Sequence, residues 1–424
     1  MSNQFSKEER VAFEDLLEGF NDALVLSKNV AKYNTDQSAM ERTNNVIWRP
    51  MPYIVPSFDG TDQTTNFRSV SQLSVPATIG FKKSVPWSMS ATELRDALQE
   101  GRIGEAAKQR LATDINLAVM NVAANQGTLF VKRAAAASGF DDLAACEAVF
   151  NEQGIPQNDR YIALSTRDYN NMASNLATST RSFGNDVSDR ALRNAYVGNL
   201  ASFETYKLDY AVRKTAAAGG AGITINTLVA GANFYTPRAA TVSITGESSN
   251  VDNRFQTITV SSTTNVAAGD AFTIANCEAV HHITKSSTGQ LKTFRVISVA
   301  SATTLVISPP IVSNQGGSTA EAQYQNCAFT ATASNAAIVF LNTVTGSMNP
   351  FWQKDAIEIL PGRYATPNDG GVAVLRGTTD NGIEIVMSKQ FDIKSYTTFF
   401  RVDTLFGVVN KQPQMTGLVM FSQT

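Results

Sequence analysis

The amino-acid sequence predicts an α+β protein into which a separate all-β domain, a small barrel or sandwich, is inserted. Residues 216–222 read AAAGGAG, a hinge-like run, and a second flexible run, SNQGGS, occupies residues 313–318. Between these runs the sequence is rich in Thr, Ser and Val and alternates with period two, which is typical of strands. Helical and mixed sequence lies on both sides. Residues 223–345 are therefore predicted to form an insert within a host domain.

Length and composition limit the number of domains and the kinds of partner that the protein can have. The 424 residues allow about three folded units at roughly 150 residues each. A net charge of −2 argues against a dedicated duplex-DNA binder. Cys146, Cys277 and Cys327 are odd in number and widely separated, which argues against a disulfide framework and suits a reducing compartment. Without a secretory signal or a ~20-residue apolar run, we expect a soluble protein made in a cytoplasm.

Residues 1–45 are predicted to form an N-terminal arm that contains a helix. Ser6 and Glu9 form a capping-box pattern at its start, and the helix is predicted to run to about Lys32. The helix carries a stripe of carboxylates, made up of Glu14, Asp15, Glu18 and Asp22. A charged helix face usually meets only water, and the alternative is a docking surface for a basic partner helix.

Residues 46–90 are predicted to form an extended, projecting loop. The stretch from Trp48 to Trp87 is punctuated by Pro50, Pro52, Pro56, Pro76 and Pro86. Proline disfavours central strands but suits edge strands and extended arms. A segment this long with so little core pattern exceeds an ordinary connection, which favours a functional loop.

Residues 91–222 are predicted to hold a long spine helix followed by mixed α and β structure. A capping box at Ser90 and Glu93 begins the helix, which is predicted to span Ala91–Gln126 with a kink at Gly101 and Gly104. At 1.5 Å per residue this helix would be roughly 50 Å long. Beyond the kink, one narrow apolar stripe keeps helical spacing: Ile103, Ala107, Leu111, Ile115, Val119 and Val122. Shorter helices are predicted over residues 141–153 and 166–176, and strands over residues 161–164 and 206–212.

The insert and the C-terminal segment are both predicted to be rich in strands. Strands of the insert are predicted at residues 255–261, 271–274, 291–299 and 304–308, with turns at 269–270 and 288–289. Residues 346–424 are predicted to complete the host sheet, with strands at residues 356–360, 383–387 and 397–409.

Side chains suited to catalysis or metal binding are scarce. The two histidines, His281 and His282, are adjacent, and their spacing from Cys277 and Glu278 matches no zinc-site pattern. A phosphate-binding glycine loop and a nucleophile elbow are both absent from the sequence. We therefore predict no catalytic, cofactor or metal site. The remaining alternatives are a β-rich module that binds carbohydrate or protein, and an enzyme that uses His281 or His282.

Several local patterns, in this order along the whole chain, resemble one family. They are NVIWRP at residues 45–50, VDNRF at 251–255 followed by TITVSSTT, AGD at 268–270, and FW at 351–352 followed by DAI at 355–357. The chain resembles the coat proteins of short-tailed double-stranded-DNA bacteriophages, and is most similar to the enterobacterial type, whose inserted domain is called telokin-like or Ig-like.

This resemblance implies the Hong Kong ninety-seven capsid fold, with an N-arm, an extended E-loop, a peripheral domain carrying the spine helix, an axial domain and an insertion domain (I-domain). It also implies a major capsid protein that self-assembles as hexamers and pentamers of an icosahedral shell. A scaffolding protein guides assembly of a procapsid, which expands when double-stranded DNA enters through a portal protein. We expect contact with the packaged DNA to be weak and non-specific, and we expect no membrane association.

The resemblance further implies a D-loop in the insert that contacts a neighbouring subunit. This loop corresponds to residues 245–253, which read TGESSNVDN. Its candidate inter-subunit residues are Glu247 and Asp252, with Arg254 at the base of the loop. The acidic stripe of the N-terminal arm becomes a candidate binding site for the scaffolding protein.

Overall fold

Strands predominate over helices in the part of the chain that the structure describes. The computed structural model describes residues 5, 9–11, 13–14, 16–17, 24–33, 46–51, 55, 57–90, 92–93, 97–178, 190–191, 193–219, 222–225, 234–313, 315, 317–329, 335–365, 372–379 and 382–424. By contacts the chain divides into two compact units. The first unit comprises residues 1–47, 76–120 and 357–409, and the second comprises residues 48–75, 121–356 and 410–424.

The strands are numbered in chain order. Those before the β-rich insert are β1 (Ala31–Lys32), β2 (Val46–Pro50), β3 (Ser74–Thr78), β4 (Phe81–Ser90), β5 (Leu129–Lys132), β6 (Arg160–Ser165), β7 (Asn199–Leu200), β8 (Phe203–Leu208) and β9 (Arg213–Lys214). Those of the insert are β10 (Ala240–Val242), β11 (Ser248–Asn250), β12 (Gln256–Thr259), β13 (Ala271–Val280), β14 (Ser287–Ser301), β15 (Thr304–Ser308), β16 (Cys327–Phe329) and β17 (Ile338–Phe340). Those after it are β18 (Gly346–Ser347), β19 (Asn349–Gln353), β20 (Ile357–Pro361), β21 (Ala373–Thr378), β22 (Glu384–Asp392), β23 (Thr397–Asn410) and β24 (Thr416–Met420).

The helices are fewer. Those with bounds are α1 (Ala97–Gln126), α2 (Phe140–Glu152), α3 (Thr166–Thr178) and α4 (Thr319–Tyr324), with 3₁₀ turns at Ser27–Asn29, Lys354–Ala356 and Pro413–Met415. Residues 9–11, 13–14, 16–17, 190–191 and 193–194 are also helical. The helices predicted over residues 141–153 and 166–176 correspond closely to α2 and α3.

The first unit is organised around a sheet of order β1-β20-β23-β22-β21, with β4 paired to β23. The N-terminal helix was expected to reach Lys32, and this expectation is wrong. Ser27–Asn29 form a 3₁₀ turn, and β1 then runs parallel to β20, with Ala31 opposite Glu358. The physical reason is burial: Leu24, Leu26 and Val30 are all buried, a spacing that one face of a helix does not provide.

Strand β4 shows that part of the predicted projecting loop is sheet. It pairs antiparallel with β23 from Ser90 opposite Thr397 to Phe81 opposite Phe406. Pro86 is tolerated here because, in the described residues, β4 pairs only with β23. Cross-strand stacking of Trp87 on Phe400, with ring centroids 5.5 Å apart, reinforces this pairing.

The spine helix α1 is present and about 45 Å long at 1.5 Å per residue. It begins at Ala97 rather than Ala91, although the predicted capping-box bonds exist: Ser90 N donates to Glu93 Oε2 (2.9 Å) and Glu93 N donates to Ser90 Oγ (3.3 Å). Helical structure continues through Gly101 and Gly104. The predicted apolar stripe is buried at Ala107, Leu111, Ile115, Val119 and Val122.

The second unit contains a host sheet and the sheet of the insert. The host sheet has the order β5-β24-β19-β6-β8-β7, with β5/β24 and β6/β8 parallel and the other pairs antiparallel. Its core is an aromatic cluster in which Phe150 of α2 packs against Phe351 of β19, with ring centroids 5.0 Å apart, and Phe203 packs against both. Cys146 is buried within this cluster.

The insert is an antiparallel sheet of order β12-β15-β14-β13-β16, with β17 also paired to β13. Its core includes Phe272, Phe294 and Ile307. Strands β13 and β14 are longer than predicted, so the turn expected at residues 288–289 is wrong. Those residues belong to β14, and the reversal occurs at residues 282–284.

A buried polar network closes the point where the chain enters and leaves the insert. Before the insert, β9 pairs with β18 after it, with Lys214 opposite Gly346. Asp270 of the insert lies beside this pair and accepts bonds from Lys214 Nζ (3.0 Å), Asn342 Nδ2 (3.1 Å) and Ala267 N (2.8 Å). Both ends of the insert are thereby joined to one buried carboxylate.

We predict that Asp270→Ala lowers the free energy of unfolding by about 3–5 kcal/mol, because it leaves the largely buried ammonium group of Lys214 unpaired. Urea unfolding followed by tryptophan fluorescence measures this change. The control is Asp59→Ala at an exposed position, for which we expect a change within about 0.5 kcal/mol. Equal effects of the two substitutions would show that the network does not stabilise the fold.

Candidate assembly surfaces

The N-terminal arm has one buried and one exposed carboxylate in its described part. Glu9 is buried and forms an ion pair with Lys389 of β22, while Phe13 and Leu16 are buried beside it. Glu14 is exposed. Asp15, Glu18 and Asp22, the other members of the predicted acidic stripe, lie outside the described residues.

The loop between β2 and β3 exposes large apolar side chains. Phe67 is 87% exposed, and Val55, Phe58 and Val70 are exposed as well. Arg68 lies over the ring of Phe58, with 5.6 Å from Cζ to the ring centroid. Such a set of aromatic and aliphatic side chains on one irregular segment is typical of an interaction surface.

The base of this loop is fixed even though its middle is exposed. Ser71 N donates to Gln323 Oε1 (3.1 Å), and Leu73 N donates to Tyr324 Oη (3.2 Å). Tyr324 Oη donates in turn to Ser71 O (3.2 Å). Because Gln323 and Tyr324 belong to α4 of the insert, the insert holds one end of the loop.

Residues 245–253, predicted to form a D-loop, overlap a small hairpin of the insert. Strands β10 and β11 pair from Ala240 opposite Asn250 to Val242 opposite Ser248, and every residue of both strands is exposed. Ile244, at the tip, is fully exposed. Glu247 is also exposed, and its backbone closes the turn through bonds between Ser243 N and Glu247 O (2.8 Å) and between Glu247 N and Ser243 Oγ (3.1 Å).

The base of the hairpin is held by one buried amide side chain. Asn253 Oδ1 accepts hydrogen bonds from Arg238 N (3.1 Å) and Tyr235 Oη (2.9 Å). Asn253 Nδ2 donates to Arg238 O (3.0 Å) and Val251 O (3.1 Å). These four bonds join the two ends of a hairpin that is too short to be stable alone.

The two charged candidates next to Asn253 are paired with each other. Arg254 Nη2 lies 2.7 Å from Asp252 Oδ2, and Arg254 Nε donates to Asp252 Oδ1 (2.9 Å). Arg254 Nη1 also donates to Asn410 O (3.0 Å), and its guanidinium lies over the ring of Phe255. Asp252 and Arg254 therefore stabilise the base of the hairpin, whereas Glu247 stands exposed beside its tip.

A second set of charged residues, which the sequence analysis did not identify, joins the insert to the spine helix. Arg295 Nη2 of β14 donates to Ala124 O in the last turn of α1 (3.0 Å), and Lys292 Nζ donates to Gln414 Oε1 (2.8 Å). Both side chains are fully buried, and burial lowers the pKa of Lys292 to about 8 and that of Arg295 to about 10. A cation at a helix C-terminus is favourable because the helix dipole is negative there. In the sequence, the signal for this contact is the presence of two cations, Lys292 and Arg295, within the strand-like run LKTFRV.

One of the two histidines, His282, lines a cavity of about 270 Å³ in the second unit. His281 Nδ1 accepts from the backbone of Ile283 (3.3 Å) and Thr284 (3.2 Å), so it caps the turn after β13. His282 lines the cavity together with Lys285, and burial lowers the pKa of His282 to about 3 and that of Lys285 to about 8. The imidazole of His282 is therefore neutral, and its packing contributes to the structure of the turn.

Within the described ranges, no group of three or more His, Cys, Asp or Glu side chains could hold a metal ion. In the same part of the chain, no helix is both long enough and apolar enough to cross a membrane.

An α+β host carrying a β insert, with two exposed arms whose bases are hydrogen-bonded to the insert, defines a subunit made for assembly. The family model "P22 coat protein - gene protein 5" matches residues 1–422, and the chain belongs to this family. It is therefore a bacteriophage coat protein, a structural subunit of the icosahedral capsid shell with an I-domain, and not an enzyme. The predicted α+β class with a β-rich insert is confirmed.

Solved structures of phage capsids are similar to this chain. A structure titled "Mycobacterium phage Che8" is 11% identical, with 93% of this chain and 90% of that chain covered and a TM-score of 0.43. The capsid of the cyanophage P-SCSP1u is 10% identical, with 93% and 86% covered and a TM-score of 0.44. The I-domain of the CUS-3 coat protein is 37% identical over 30% of this chain and 99% of that chain, with a TM-score of 0.21.

We predict that Asn253→Ala loosens the hairpin without unfolding the insert, because it removes four hydrogen bonds at the base only. Protease cleavage within residues 239–251 should accelerate by about tenfold, which corresponds to roughly 1.4 kcal/mol of local stability. Asn250→Ala, on exposed strand β11, is the matched control and should cleave at the rate of the unchanged chain. An unchanged cleavage rate for Asn253→Ala would contradict the assigned role.

Proposed function

We propose that this coat protein assembles with a scaffolding protein into a procapsid in the host cytoplasm. The procapsid then expands as double-stranded DNA is packaged through a portal. The observation that carries this proposal is a pair of exposed arms. One arm is the loop of residues 57–70, and the other is the β10–β11 hairpin. Both expose apolar side chains while their bases are hydrogen-bonded to the body of the insert. Family membership supports the shell, and the arms supply surfaces on which neighbouring copies can bind.

The loop of residues 57–70 is the first proposed contact. Its exposed Phe58, Phe67 and Val70 would lose little conformational entropy on binding, because α4 already holds the adjacent Ser71 and Leu73. Exposed backbone in such an arm can also pair with the strand edge of a neighbour. Each contact is modest, and the repeated geometry of a shell adds many of them together.

The hairpin is the second proposed contact. Glu247 and Ile244 are exposed near its tip and would meet a neighbouring subunit. Asp252 and Arg254 would support this contact from the base, where their ion pair fixes the direction in which the hairpin projects. The assignment of Glu247 to an inter-subunit ion pair rests on its being exposed and charged.

The proposed contacts with the scaffolding protein and with DNA are inferred from the charges of this chain. The acidic residues Glu14, Asp15, Glu18 and Asp22 would bind a basic helix of the scaffolding protein, and the exposure of Glu14 supports this. A net charge of −2 suits a shell whose DNA must enter and later leave, since strong phosphate binding would hinder both movements.

The proposal is tested by co-expressing the chain with a candidate scaffolding protein and imaging the product by electron microscopy. The expected product is closed, uniform shells that contain both proteins. Recovery of the coat protein only as a folded monomer, with every scaffolding candidate from the same phage, would overturn the proposal.

We predict that Phe67→Ser leaves the monomer folded but raises the protein concentration needed for assembly by about tenfold or more, since burying one phenylalanine contributes roughly 2 kcal/mol per contact. Circular dichroism checks the fold and light scattering checks assembly. Phe140→Ser, at another exposed phenylalanine, is the matched control and should assemble normally. Normal assembly of Phe67→Ser would exclude the loop tip as a contact.

We also predict that the double change Glu14→Lys/Glu18→Lys weakens binding of the scaffolding protein, because it reverses two charges of the proposed docking stripe. Co-sedimentation of scaffolding protein with the coat protein measures the loss of binding. Added salt screens the charges, so the difference between the unchanged chain and the variant should become smaller. The control Asp209→Lys/Glu152→Lys makes the same charge change at two exposed positions outside the proposed contacts. Equal binding by the two double variants would show that the stripe is only a solvated face.

A further inference from the structure

The cavity of about 270 Å³ in the second unit has rigid apolar walls. Leu73, Val312 and Met415 contribute flexible apolar side chains to the lining. The ring of proline fixes the backbone φ angle, and five of the lining residues are prolines: Pro156, Pro237, Pro309, Pro310 and Pro413. A cavity with such walls is largely preformed, so a ligand that enters it loses little affinity to rearrangement of the protein.

The charged side chains in the lining are cationic. Arg254 and Lys285 both line the cavity, and no Asp or Glu is found among the described residues that do so. Asp252 neutralises Arg254, with 2.7 Å between Oδ2 and Nη2. Lys285 Nζ instead donates to the backbone oxygen of Gln325 (3.1 Å), and burial, with no contribution from a carboxylate, lowers the pKa of Lys285 to about 8. Lys285 is therefore mostly protonated at pH 7 and lacks an acidic partner within the described ranges.

A second ammonium group acts on the same space. Lys292 is fully buried and donates to Oε1 of Gln414, which lines the cavity (2.8 Å). Burial is the main reason that the pKa of His282 falls to about 3, and the positive charges of Lys292 and Lys285 lower it further. The imidazole of His282 thus experiences a positive potential and stays neutral. The same potential favours an anion in the cavity.

We propose that this cavity binds a small amphipathic carboxylate, whose charged group pairs with Lys285 and whose apolar body lies against the prolines. The volume limits the size of the ligand. About 270 Å³ corresponds to roughly nine times the ~30 Å³ that one water molecule occupies in the liquid, which suits a ligand of about ten heavy atoms. A medium-chain fatty acid such as octanoate meets both requirements, and octanoate is the probe used below.

The cavity is lined by the same residues that hold the base of the loop of residues 57–70. Gln323, Tyr324 and Leu73 all line it. Gln323 Oε1 accepts from Ser71 N, and Tyr324 Oη accepts from Leu73 N. A ligand stabilises the conformation in which its site is complete, so its binding should keep these hydrogen bonds closed. An effect of the ligand on assembly would rest on the proposed function of the loop, whereas binding itself does not.

The test is a calorimetric titration of the free full-length subunit at pH 7 with octanoate, octan-1-ol and octylammonium, three probes with the same alkyl chain. We expect one octanoate per subunit, with a dissociation constant of about 0.1–1 mM. Octan-1-ol should bind about tenfold more weakly, and octylammonium should show no measurable binding. With octanoate at about ten times its dissociation constant, hydrogen exchange of the Ser71 and Leu73 amides should slow by about tenfold.

Three variants identify the group that binds the carboxylate. Lys285→Met removes the charge but keeps an apolar side chain of similar length. It should weaken octanoate binding by about tenfold and leave octan-1-ol binding unchanged, which shows that the cavity is intact. Lys285→Arg should retain octanoate binding. Lys394→Met, at an exposed lysine outside the lining, is the matched control and should bind all three probes like the unchanged chain.

Three results would overturn the proposal. The first is equal affinity for octanoate and octan-1-ol, and the second is unchanged octanoate binding by Lys285→Met. The third is uptake of several octanoate molecules per subunit, which would indicate non-specific adsorption. None of these measurements requires a scaffolding protein or a shell. A failed assembly experiment therefore leaves the binding result standing, and failed binding leaves the proposed assembly function standing.

Discussion

A short hairpin and a long irregular loop cannot bury their own apolar side chains, and this constraint shapes how the second unit is built. Residues 57–70 and the β10–β11 hairpin project with Phe67 and Ile244 in solvent. Neither arm has a hydrophobic core of its own, so each depends on polar bonds at its base. Tyr324 and Gln323 hold the loop, and Asn253 holds the hairpin. All three residues belong to the insert, which therefore acts as the support for both arms.

That support requires the insert itself to be fixed to its host sheet, and buried charges provide the attachment. Asp270 joins the entering and leaving strands through Lys214 and Asn342. Arg295 meets the C-terminal end of the spine helix at Ala124 O, where the dipole favours a cation. Lys292 bonds to Gln414 on the turn before β24. A buried charge without its partner is costly, so these contacts favour one arrangement of the insert over others.

Much of the fold could be predicted from periodicity, because one face of each long element is buried. The alternation at residues 255–261 and 304–308 identified strands of the insert, and the stripe from Ala107 to Val122 identified the spine. Predictions failed where tertiary pairing overrides local pattern. Residues 27–32 form a 3₁₀ turn and strand β1 instead of the predicted helix, because β20 offers a strand partner.

The candidate site was predictable only in part, for a related reason. Exposed arms have sequence signals, since proline and glycine mark them, and the resemblance supplied the D-loop. Interactions between distant residues have no such signal. Asp252 and Arg254 could be chosen by charge, but their pairing with each other appears only in three dimensions. The same holds for the contact of Arg295 with the spine helix, because spacing in the sequence does not reveal which elements become neighbours.

Hydrogen exchange of the free subunit compared with the assembled shell tests most directly whether the arms are completed by other copies of the chain. In the free subunit, amides of residues 57–70 and 240–250 should exchange within seconds, because they are exposed and largely outside a sheet core. In the shell, the same amides should be protected by about tenfold or more, while the core strands β13 and β14 change little. Equal, rapid exchange of both arms in the free and assembled protein would contradict this account.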